Sequence, residues 1–296
     1  MSLADNDSAQ ITVVETLELA RKQIHQWKMA GEAIALVPTM GNLHQGHLAL
    51  VKAANESGMR TVVSIFVNPM QFGKDEDLER YPRTFDDDIA SLSGHRVDMV
   101  FAPGVSEIYP HGVDDTTSVH VQGLSDILEG ECRPGFFTGV ATVVNILFNI
   151  IQPDAAWFGE KDYQQLLVIR RMVRDLALPI KIHAVPTVRE GDGLALSSRN
   201  SYLDTAQRKT ARKLYRCLQH VVDAVDDGMD YHYAVVHANQ ELSEAGFFTD
   251  YVVVRRQEDL EVPCKGDKSL IVLAAARLDG TRLIDNIPFE LMLEHE

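Results

Sequence analysis

Residues 33–51 read AIALVPTMGNLHQGHLALV, and this stretch decides the fold. The apolar run 33–37 predicts a short buried strand, and the apolar spacing after His47 predicts a helix. Between them lies a tight turn with two glycines and two histidines, His44 and His47. Backbone N–H groups and the dipole at such a helix start form an anion site, and two imidazoles add hydrogen-bond donors. The stretch therefore predicts a strand–turn–helix unit that handles polyphosphate.

The histidine pair has two plainer interpretations, a helix cap and a zinc site. A metalloprotease zinc motif places its histidines four residues apart with a glutamate between them. His44 and His47 are three apart around Gln45 and Gly46, and no third ligand stands nearby in the sequence. We therefore favour phosphate donors over a cap or a metal site, and we assign no metal ligands to the protein.

The length and composition of the chain limit the classes of protein to which it can belong. The chain has 296 residues, 45% of them apolar, and a formal net charge of −15. This length predicts one large and one small domain, and the acidic balance argues against a nucleic-acid partner, which would need a basic face. The three cysteines have no CxxC spacing and suggest reduced thiols, and neither a signal peptide nor a membrane-spanning apolar run is recognisable. We expect a soluble cytoplasmic protein with no membrane partner.

Apolar runs alternate with helical patterns through the first two thirds of the chain. The predicted strands are 33–37, 61–67, 97–102, 155–158 and 180–185. Strands that alternate with helices indicate βαβ units and a parallel sheet, and ligands of such sheets bind beyond the carboxyl ends of the strands. The pattern predicts an α/β fold with a Rossmann-like nucleotide-binding domain over residues 1–187.

The pattern changes after Pro186. The predicted elements there are helices at 204–225 and 231–245 and strands at 251–254 and 270–275. The second strand leads to an Asp279-Gly280 turn, which is a strong hairpin signal. This region predicts a smaller α+β domain over residues 188–296.

Two later segments combine charge with turn residues. In residues 159–162 (GEKD), Lys161 could provide a charge for phosphate and Asp162 an acceptor for a ribose hydroxyl. For this tetrapeptide alone we favour an ordinary helix start capped by Asp162. In residues 196–200 (LSSRN), two hydroxyls, backbone amides and a guanidinium could cradle polyphosphate, although Ser-Ser is also common in solvated turns.

Residues 68–85 are rich in charge and lack periodicity. An amide at Gln71 could bind the hydroxyl and carboxylate of a small polar acid, or could satisfy the local backbone. The remainder of the segment is either a solvated connector or a lid over the site, and the residues leave this open. Asp86, Asp87 and Asp88 indicate mainly an acidic helix start stabilised by the dipole, and we do not assign them to Mg²⁺.

These segments together resemble the pantothenate synthetases (pantoate–β-alanine ligases), a family of HxGH nucleotidyltransferases related to class I aminoacyl-tRNA synthetases. The matching runs are PTMGNLHQGHLALV at 38–51, FVNPMQF at 66–72, YPRT at 81–84, WFGEKDYQQL at 157–166 and ALSSRN at 195–200. The resemblance spans at least residues 33–205. Three positions depart from the family pattern: Leu196 stands where methionine is usual, Phe136 where histidine is frequent, and Asn145 where lysine is common. We assign no catalytic role to Phe136 or Asn145.

The resemblance implies an activity. It is the ATP-dependent ligation of (R)-pantoate and β-alanine to pantothenate through a pantoyl adenylate, with release of AMP and pyrophosphate. The resemblance also implies ATP as its Mg²⁺ complex, small-molecule substrates and a homodimer. Two alternatives remain: a nucleotidyltransferase that releases an adenylylated product, and a non-catalytic ATP-binding regulatory protein, which we would expect to have a degraded set of phosphate-binding residues.

The resemblance also implies residue roles. The residues implied to stabilise charge in catalysis are His44, His47, Lys161, Ser198 and Arg199. The residues implied to bind ATP are Met40, Gly41, Asn42, Leu43, His44, Gln45, Gly46, His47, Gly159, Glu160, Lys161, Asp162, Val188, Leu196, Ser197, Ser198 and Arg199. Gln71 and Gln165 are implied to hold pantoate. The helix that contains Gln164 and Gln165 can turn only one glutamine toward the pocket, and the resemblance implies that this one is Gln165. His47 could also donate a proton to the pyrophosphate leaving group.

Overall fold

The computed structural model describes residues 11–73 and 76–291. The strands are β1 (Thr12–Val14), β2 (Ile34–Thr39), β3 (Arg60–Ile65), β4 (Met99–Phe101), β5 (Ala155–Gly159), β6 (Lys181–Val185), β7 (Phe248–Arg256), β8 (Ser269–Leu278) and β9 (Thr281–Glu290). The helices are α1 (Leu17–Met29), α2 (Gln45–Glu56), α3 (Phe85–Leu92), α4 (Val105–Ile108), α5 (Glu129–Cys132), α6 (Phe136–Ile151), α7 (Tyr163–Asp175), α8 (Thr205–Ala211), α9 (Lys213–Asp226) and α10 (Tyr231–Glu244). Short 3₁₀ turns lie at Pro69–Gln71, Glu160–Asp162 and Ser198–Tyr202. Part of the charged segment 68–85, Lys74 and Asp75, lies outside the described residues.

Internal contacts divide the chain into two compact units. The first unit contains the described residues up to His120, with Thr138–Phe158 and Met172–Val185. The second contains Val121–Phe137, Gly159–Arg171 and the described residues from Pro186 onward. The longest segment of the second unit thus begins close to the predicted boundary at 187/188, and two earlier segments join it. The single boundary at 187/188 stays a prediction.

The first unit is built on a parallel sheet. Among the described residues this sheet has six strands in the order β1-β4-β3-β2-β5-β6, and β1–β4, β4–β3, β3–β2 and β2–β5 are parallel pairs. The first four residues of β2, 34–37, are fully buried, as a continuous apolar run predicts for a strand covered on both faces. The predicted parallel α/β sheet is confirmed.

The strand boundaries agree with the sequence patterns, except at the edge of the sheet. The five predicted strands are all present, with ends shifted by at most two residues. The sequence does not predict β1, because its three residues (TVV) are too few to form an apolar run or an alternation. Only Val14 of the three is buried. β1 pairs with β4 through Val13 opposite Val100.

The strand order changes direction at β2. From β2 the chain adds β3 and β4 on one side and β5 and β6 on the other. In open parallel sheets the crevice at the carboxyl ends of the strands around such a switch point is the usual ligand site. The histidine turn, residues 40–47, follows β2 directly and includes the start of α2 at Gln45. The predicted strand–turn–helix unit is confirmed, and its turn lies at the switch point.

The second unit contains an antiparallel sheet. Within the part of the chain that the structure describes, this sheet has the strand order β7-β8-β9. Helix α9 packs on β8 and β9, and α10 packs on β7 and α9. Cys217, Leu218 and Val272 are fully buried in the resulting core. The predicted α+β character of the C-terminal region is confirmed.

One predicted helix of this unit is wrong in detail. Residues 204–225 form two helices, α8 and α9, which are separated by Arg212 alone. Arg212 keeps right-handed helical angles, but the hydrogen bond from Arg216 N to Arg212 O is stretched to 3.5 Å. The interruption is therefore a local weakening of the helical hydrogen bonds.

Strand β9 is absent from the sequence-based prediction, although the turn that leads to it is present there. Asp285, Asn286 and Pro288 interrupt the apolar alternation of this strand, so periodicity does not reveal it. Asp279 and Gly280 join β8 to β9, and their φ angles of 45° and 85° fit a two-residue hairpin turn. The predicted hairpin turn is confirmed, and β9 is its second strand.

Candidate functional site

The turn after β2 depends on a left-handed backbone. Gly41 and Asn42 have φ angles of 80° and 50°, which glycine adopts freely and asparagine more readily than most residues. A Cβ at Gly41 would stand 2.9 Å from Asp88 Oδ2 and 3.2 Å from Ile65 Cγ2. Glycine is therefore required here both for the φ angle and for space.

Asp88 supports this turn from helix α3. Its buried carboxylate accepts hydrogen bonds from Asn42 N at 3.0 Å and Leu43 N at 2.7 Å, and Thr84 Oγ1 donates to it at 3.3 Å. Hydrogen bonds to an ionised acceptor are stronger than neutral ones. The predicted acidic helix start over Asp86–Asp88 is confirmed, and Asp88 has the additional role of acceptor for the turn.

A helical pattern in the sequence could have distinguished Asp88 from its neighbours. Asp88 and Leu92 are four residues apart and both are buried, so they share the inward face of α3. Asp86 and Asp87 are exposed. A carboxylate on the inward face of a short helix needs donors, and the turn after β2 provides them.

His44 and His47 turn the same ring nitrogen toward the backbone. His44 Nδ1 accepts from Gly46 N at 3.1 Å, and His47 Nδ1 accepts from His44 N at 3.3 Å. The ring centroids are 4.1 Å apart. Because Nδ1 is an acceptor in both rings, each neutral imidazole carries its proton on Nε2. The cap and phosphate-donor interpretations are therefore compatible, since Nδ1 caps α2 and Nε2–H is a donor.

Gln71 lies beside the histidine turn. Its Nε2 donates to Met40 Sδ at 3.1 Å, and its Oε1 accepts from Asn68 Nδ2 at 3.0 Å. Asn68 is buried, donates also to Gly139 O at 3.1 Å, and accepts from Tyr109 OH at 2.6 Å. Burial raises the pKa of Tyr109, so its hydroxyl stays protonated and donates. This network holds Gln71 next to Met40.

In the second unit, the GEKD segment is held from strand β9. It forms the end of β5 and the 3₁₀ turn before α7. Asn286 Nδ2 donates to Glu160 O and to Lys161 O, both at 2.9 Å. Lys161 is half-buried and Asp162 is exposed. The backbone that carries Lys161 is thus fixed by an amide from another strand.

The chain folds back on itself just before Ser197, Ser198 and Arg199, which we call the SSR run. Arg189 pairs with Ala195 as an isolated antiparallel bridge, and Leu196 N donates to Val188 O at 3.0 Å. Val188 and Leu196, both predicted to bind ATP, are therefore neighbours. This small hairpin sets the direction in which the chain enters the SSR run.

The SSR run itself forms a capped 3₁₀ turn. Ser197 Oγ accepts from Arg199 N at 3.3 Å, and Asn200 Nδ2 donates to Ala195 O at 3.0 Å. Ser198 and Arg199 lie in the first turn of this helix and are half-buried. Their placement at a capped helix start agrees with the predicted cradle, and their contact with phosphate stays a prediction.

Arg189 connects the hairpin to strand β9. Its guanidinium contacts Asp285 in a bidentate manner, at 2.6 and 2.8 Å, and lies 3.7 Å from the centroid of the Tyr215 ring. Asp285 is almost fully buried, and planar bidentate pairing is a contact that lysine could not reproduce. Sequence motifs do not identify Arg189, Asp285 or Asn286, because no local pattern marks them.

The two glutamines of α7 have different surroundings. Gln164 is buried, and its Nε2 donates to Leu124 O and Ile127 O at 2.8 Å each. Its Oε1 accepts from Glu129 N at 3.2 Å. Gln164 thus serves the backbone of its own unit, whereas Gln165 is half-buried. This agrees with one glutamine alone facing a ligand, and the contact of Gln165 with pantoate stays a prediction.

The structure groups the predicted site residues within each unit. In the first unit it brings Gln71 to Met40 and His44 to His47. In the second unit β9 contacts both the turn that carries Lys161 and the hairpin that precedes Ser198. The assignments of these residues to ATP and pantoate remain predictions.

Two features are absent from the described part of the chain. No helix within residues 11–73 and 76–291 is long and apolar enough to cross a membrane. The same residues contain no group of three or more histidine, cysteine, aspartate or glutamate side chains that could hold a metal ion.

Comparison with known sequences identifies close relatives. The profile of the family described as pantoate-beta-alanine ligase matches residues 12–288. The pantothenate synthetase of Shewanella loihica is 53% identical over 270 residues, which cover 91% of this chain and 96% of the relative. The pantothenate synthetase of Nitrosococcus oceani is 50% identical over 280 residues, which cover 94% and 98% of the two chains.

Solved structures give the same result. A pantothenate synthetase from Thermus thermophilus has a TM-score of 0.88 at 46% identity, over 94% of this chain and 99% of that one. A pantoate-beta-alanine ligase from Francisella tularensis, complexed with beta-gamma ATP and beta-alanine, has a TM-score of 0.80 at 31% identity, over 94% and 97% of the two chains.

Proposed function

This chain belongs to the pantoate-beta-alanine ligase family, and we propose that it joins (R)-pantoate to β-alanine through an enzyme-bound pantoyl adenylate. The overall reaction consumes ATP and yields pantothenate, AMP and pyrophosphate. The observation that carries the mechanism is the histidine turn, in which both Nδ1 atoms accept backbone N–H groups and both Nε2–H groups are donors.

The first step is adenylation. A pantoate carboxylate oxygen attacks the α-phosphorus of ATP, the bond between that phosphorus and the α,β-bridging oxygen breaks, and pyrophosphate leaves with that oxygen. Negative charge grows on the phosphate oxygens, and preorganised donors stabilise it. These donors and charges come from His44, His47, Lys161, Ser198 and Arg199, and the Nε2–H group of His47 donates a hydrogen bond to the departing pyrophosphate.

The second step forms the amide. The β-alanine amine attacks the acyl carbon of the mixed anhydride, the acyl C–O bond breaks, AMP leaves with that oxygen, and the amine loses a proton. No side chain becomes a nucleophile, so positioning and charge stabilisation account for catalysis. Holding the anhydride until the amine arrives is the central requirement on the protein.

Gln71 and Gln165 hold pantoate. Gln71 supports this role because its carbonyl oxygen is fixed by Asn68, while its N–H group donates to a thioether sulfur. A thioether is a weak acceptor, so a carboxylate or hydroxyl oxygen of pantoate can replace it with a gain in hydrogen-bond strength. The half-buried Gln165 is the matching amide in α7.

The ATP site comprises residues 40–47, 159–162, 188 and 196–199, and ATP binds as its Mg²⁺ complex. Mg²⁺ prefers oxygen ligands and keeps waters while it binds phosphates. The oxygens of Asp88 accept turn N–H groups, so we do not assign Asp88 to the metal.

The protein is a cytoplasmic homodimer. The wide cysteine spacing supports the location, and the family resemblance supports the dimer.

An isotope experiment tests the adenylate. Pantoate labelled with ¹⁸O in its carboxylate is incubated with ATP, β-alanine and the protein, and the products are analysed by mass spectrometry. We expect unlabelled pyrophosphate and AMP that carries one atom of ¹⁸O from pantoate. AMP without label would overturn the adenylate. A stable adenylylated product would support the nucleotidyltransferase alternative, and bound but unreacted ATP would support the regulatory one.

A further inference from the structure

We infer that Asp285 and Asn286, adjacent residues of strand β9, are positioning residues for the two phosphate-binding loops of the second unit. The inference rests on the proposed function, because it takes Lys161, Ser198 and Arg199 as phosphate contacts. Neither Asp285 nor Asn286 needs to touch a substrate in this role.

Asn286 fixes the turn that carries Lys161. Its side chain is 3% exposed, and its Nδ2 group donates to two consecutive carbonyls, Glu160 O and Lys161 O. Its Oδ1 atom is buried with no hydrogen-bond partner among the described residues. Burying an acceptor without a partner is unfavourable, so the contribution of this amide lies in the two bonds that it donates to the turn.

Asp285 fixes the hairpin that precedes the SSR run. Its carboxylate accepts two bonds from Arg189, at 2.6 and 2.8 Å, and also accepts from Asn286 N at 2.8 Å. Arg189 donates to Asn286 O at 3.2 Å as well. Because Arg189 pairs with Ala195 in an antiparallel bridge, fixing Arg189 also fixes the backbone position of Leu196 and the residues that follow.

The two anchors share one dipeptide of β9. A shift of β9 along its own axis would move the Lys161 turn and the hairpin together, and a shift of about 1 Å at a catalytic group can cost about 10²-fold in rate. Asp285 and Asn286 therefore keep the Lys161 turn and the SSR run in one fixed geometry. Their loss should reduce the rate of adenylation more than the affinity for ATP.

The test compares single-turnover pyrophosphate release from Mg·ATP and pantoate in four proteins, with KM for ATP and the urea unfolding midpoint measured in parallel. Asn286→Ala removes both donated bonds, and Asn286→Asp keeps the volume while placing acceptors against two carbonyls. Asn239→Ala is the matched control, because Asn239 Nδ2 donates to a backbone carbonyl, Val235 O at 2.9 Å, in the same unit. Wild type completes the set.

We expect both Asn286 variants to lower the single-turnover rate constant of adenylation about 10- to 100-fold, with a smaller change in KM for ATP. We expect Asn239→Ala to keep the wild-type rate even where its unfolding midpoint falls as far as that of Asn286→Ala. Normal adenylation by a folded Asn286→Asp protein would overturn the inference, as would an equal loss in Asn239→Ala.

A double variant tests whether Asn286 acts on the rate of adenylation through Lys161. In the Lys161→Ala background, Asn286→Ala should add less than about threefold, because a residue that acts through Lys161 then has nothing to position. Fully multiplicative losses would contradict positioning through Lys161. A normal rate in Lys161→Ala alone would instead refute the proposed role of Lys161, so failure of the site and failure of the positioning role give different results.

Discussion

The histidine turn of the first unit carries hydrogen-bond donors, and so do the Lys161 turn and the SSR run of the second unit. The backbones of these segments are, however, held in place in different ways. The histidine turn contains its own caps, since His44 and His47 accept N–H groups from within residues 44–47, and one outside carboxylate, Asp88, completes it. The Lys161 turn and the hairpin that precedes the SSR run depend on β9. Their anchors are separated from them by 126 and 96 positions in the sequence.

This difference has a consequence for how each region tolerates change. A self-capped turn keeps its backbone as long as the motif and Asp88 are intact. Loops that are anchored from a distant strand respond to substitutions far from any motif. We therefore expect mutations in the motif itself to have the largest effect and mutations in the distant anchors to have graded, smaller effects.

The largest expected effect is at the histidines. Removing one preorganised donor costs about 10²–10³-fold in rate, or roughly 3–4 kcal/mol. We expect His44→Ala and His47→Ala each to slow adenylation by about this factor while the protein remains folded. Pyrophosphate release in single turnover measures the rate, and circular dichroism checks the fold. His25→Ala, an exposed histidine in α1, is the control and should behave as wild type. Near-normal release from both variants would refute the assignment.

A smaller effect is expected at Asp88. Asp88→Ala leaves two turn N–H groups without their acceptor, and each buried donor left unpaired costs roughly 1–3 kcal/mol. We expect lower stability toward urea, faster amide exchange at Asn42 and Leu43, and adenylation slowed about 10- to 100-fold through displacement of the turn. Asp87→Ala, on the exposed side of the same helix, should cost at most about 1 kcal/mol through the lost dipole interaction. Unchanged exchange at Asn42 and Leu43 would contradict the account.

The smallest effect is expected at the hairpin anchor. Arg189→Lys keeps the charge but loses the bidentate contact with Asp285 and the close contact of the guanidinium with the Tyr215 ring. We expect adenylation to fall by about threefold to tenfold and the free energy of unfolding by about 1–2 kcal/mol. Arg174→Lys is the matched control, because the Arg174–Asp175 pair is exposed and such pairs contribute little. Equal effects of the two substitutions would remove the distinction between a buried anchor and a surface pair.

Metal removal tests the interpretation of the histidine pair in a further way. Both Nδ1 atoms accept backbone N–H groups, which agrees with phosphate donors, and that neither histidine binds zinc stays a prediction. Dialysis against a zinc-selective chelator, followed by restored Mg²⁺, should leave ligase activity intact. Activity lost to the chelator and recovered with zinc would restore the metal interpretation.

The sequence predicts those parts of the molecule whose signal is local. The buried strands β2 and β3 are continuous apolar runs, and the histidine turn carries its glycines and caps within a few residues. Strand β9 is different, because Asp285 and Asn286 interrupt its apolar alternation and instead contact loops that are distant in the sequence. Asp88 was recognisable as part of an acidic helix start, but its partners lie more than 40 residues earlier. A single sequence can indicate that such a supporting residue faces inward, as the spacing of Asp88 and Leu92 does, but it does not identify the distant partners.

Pyrophosphate release from ATP and pantoate without β-alanine tests the central claim most directly. The claim is that the protein activates pantoate as an adenylate before the amine takes part. A rapid-quench experiment should show a burst of about one pyrophosphate per active site under these conditions, followed by slow turnover. A burst that appears only when β-alanine is present would contradict the two-step mechanism.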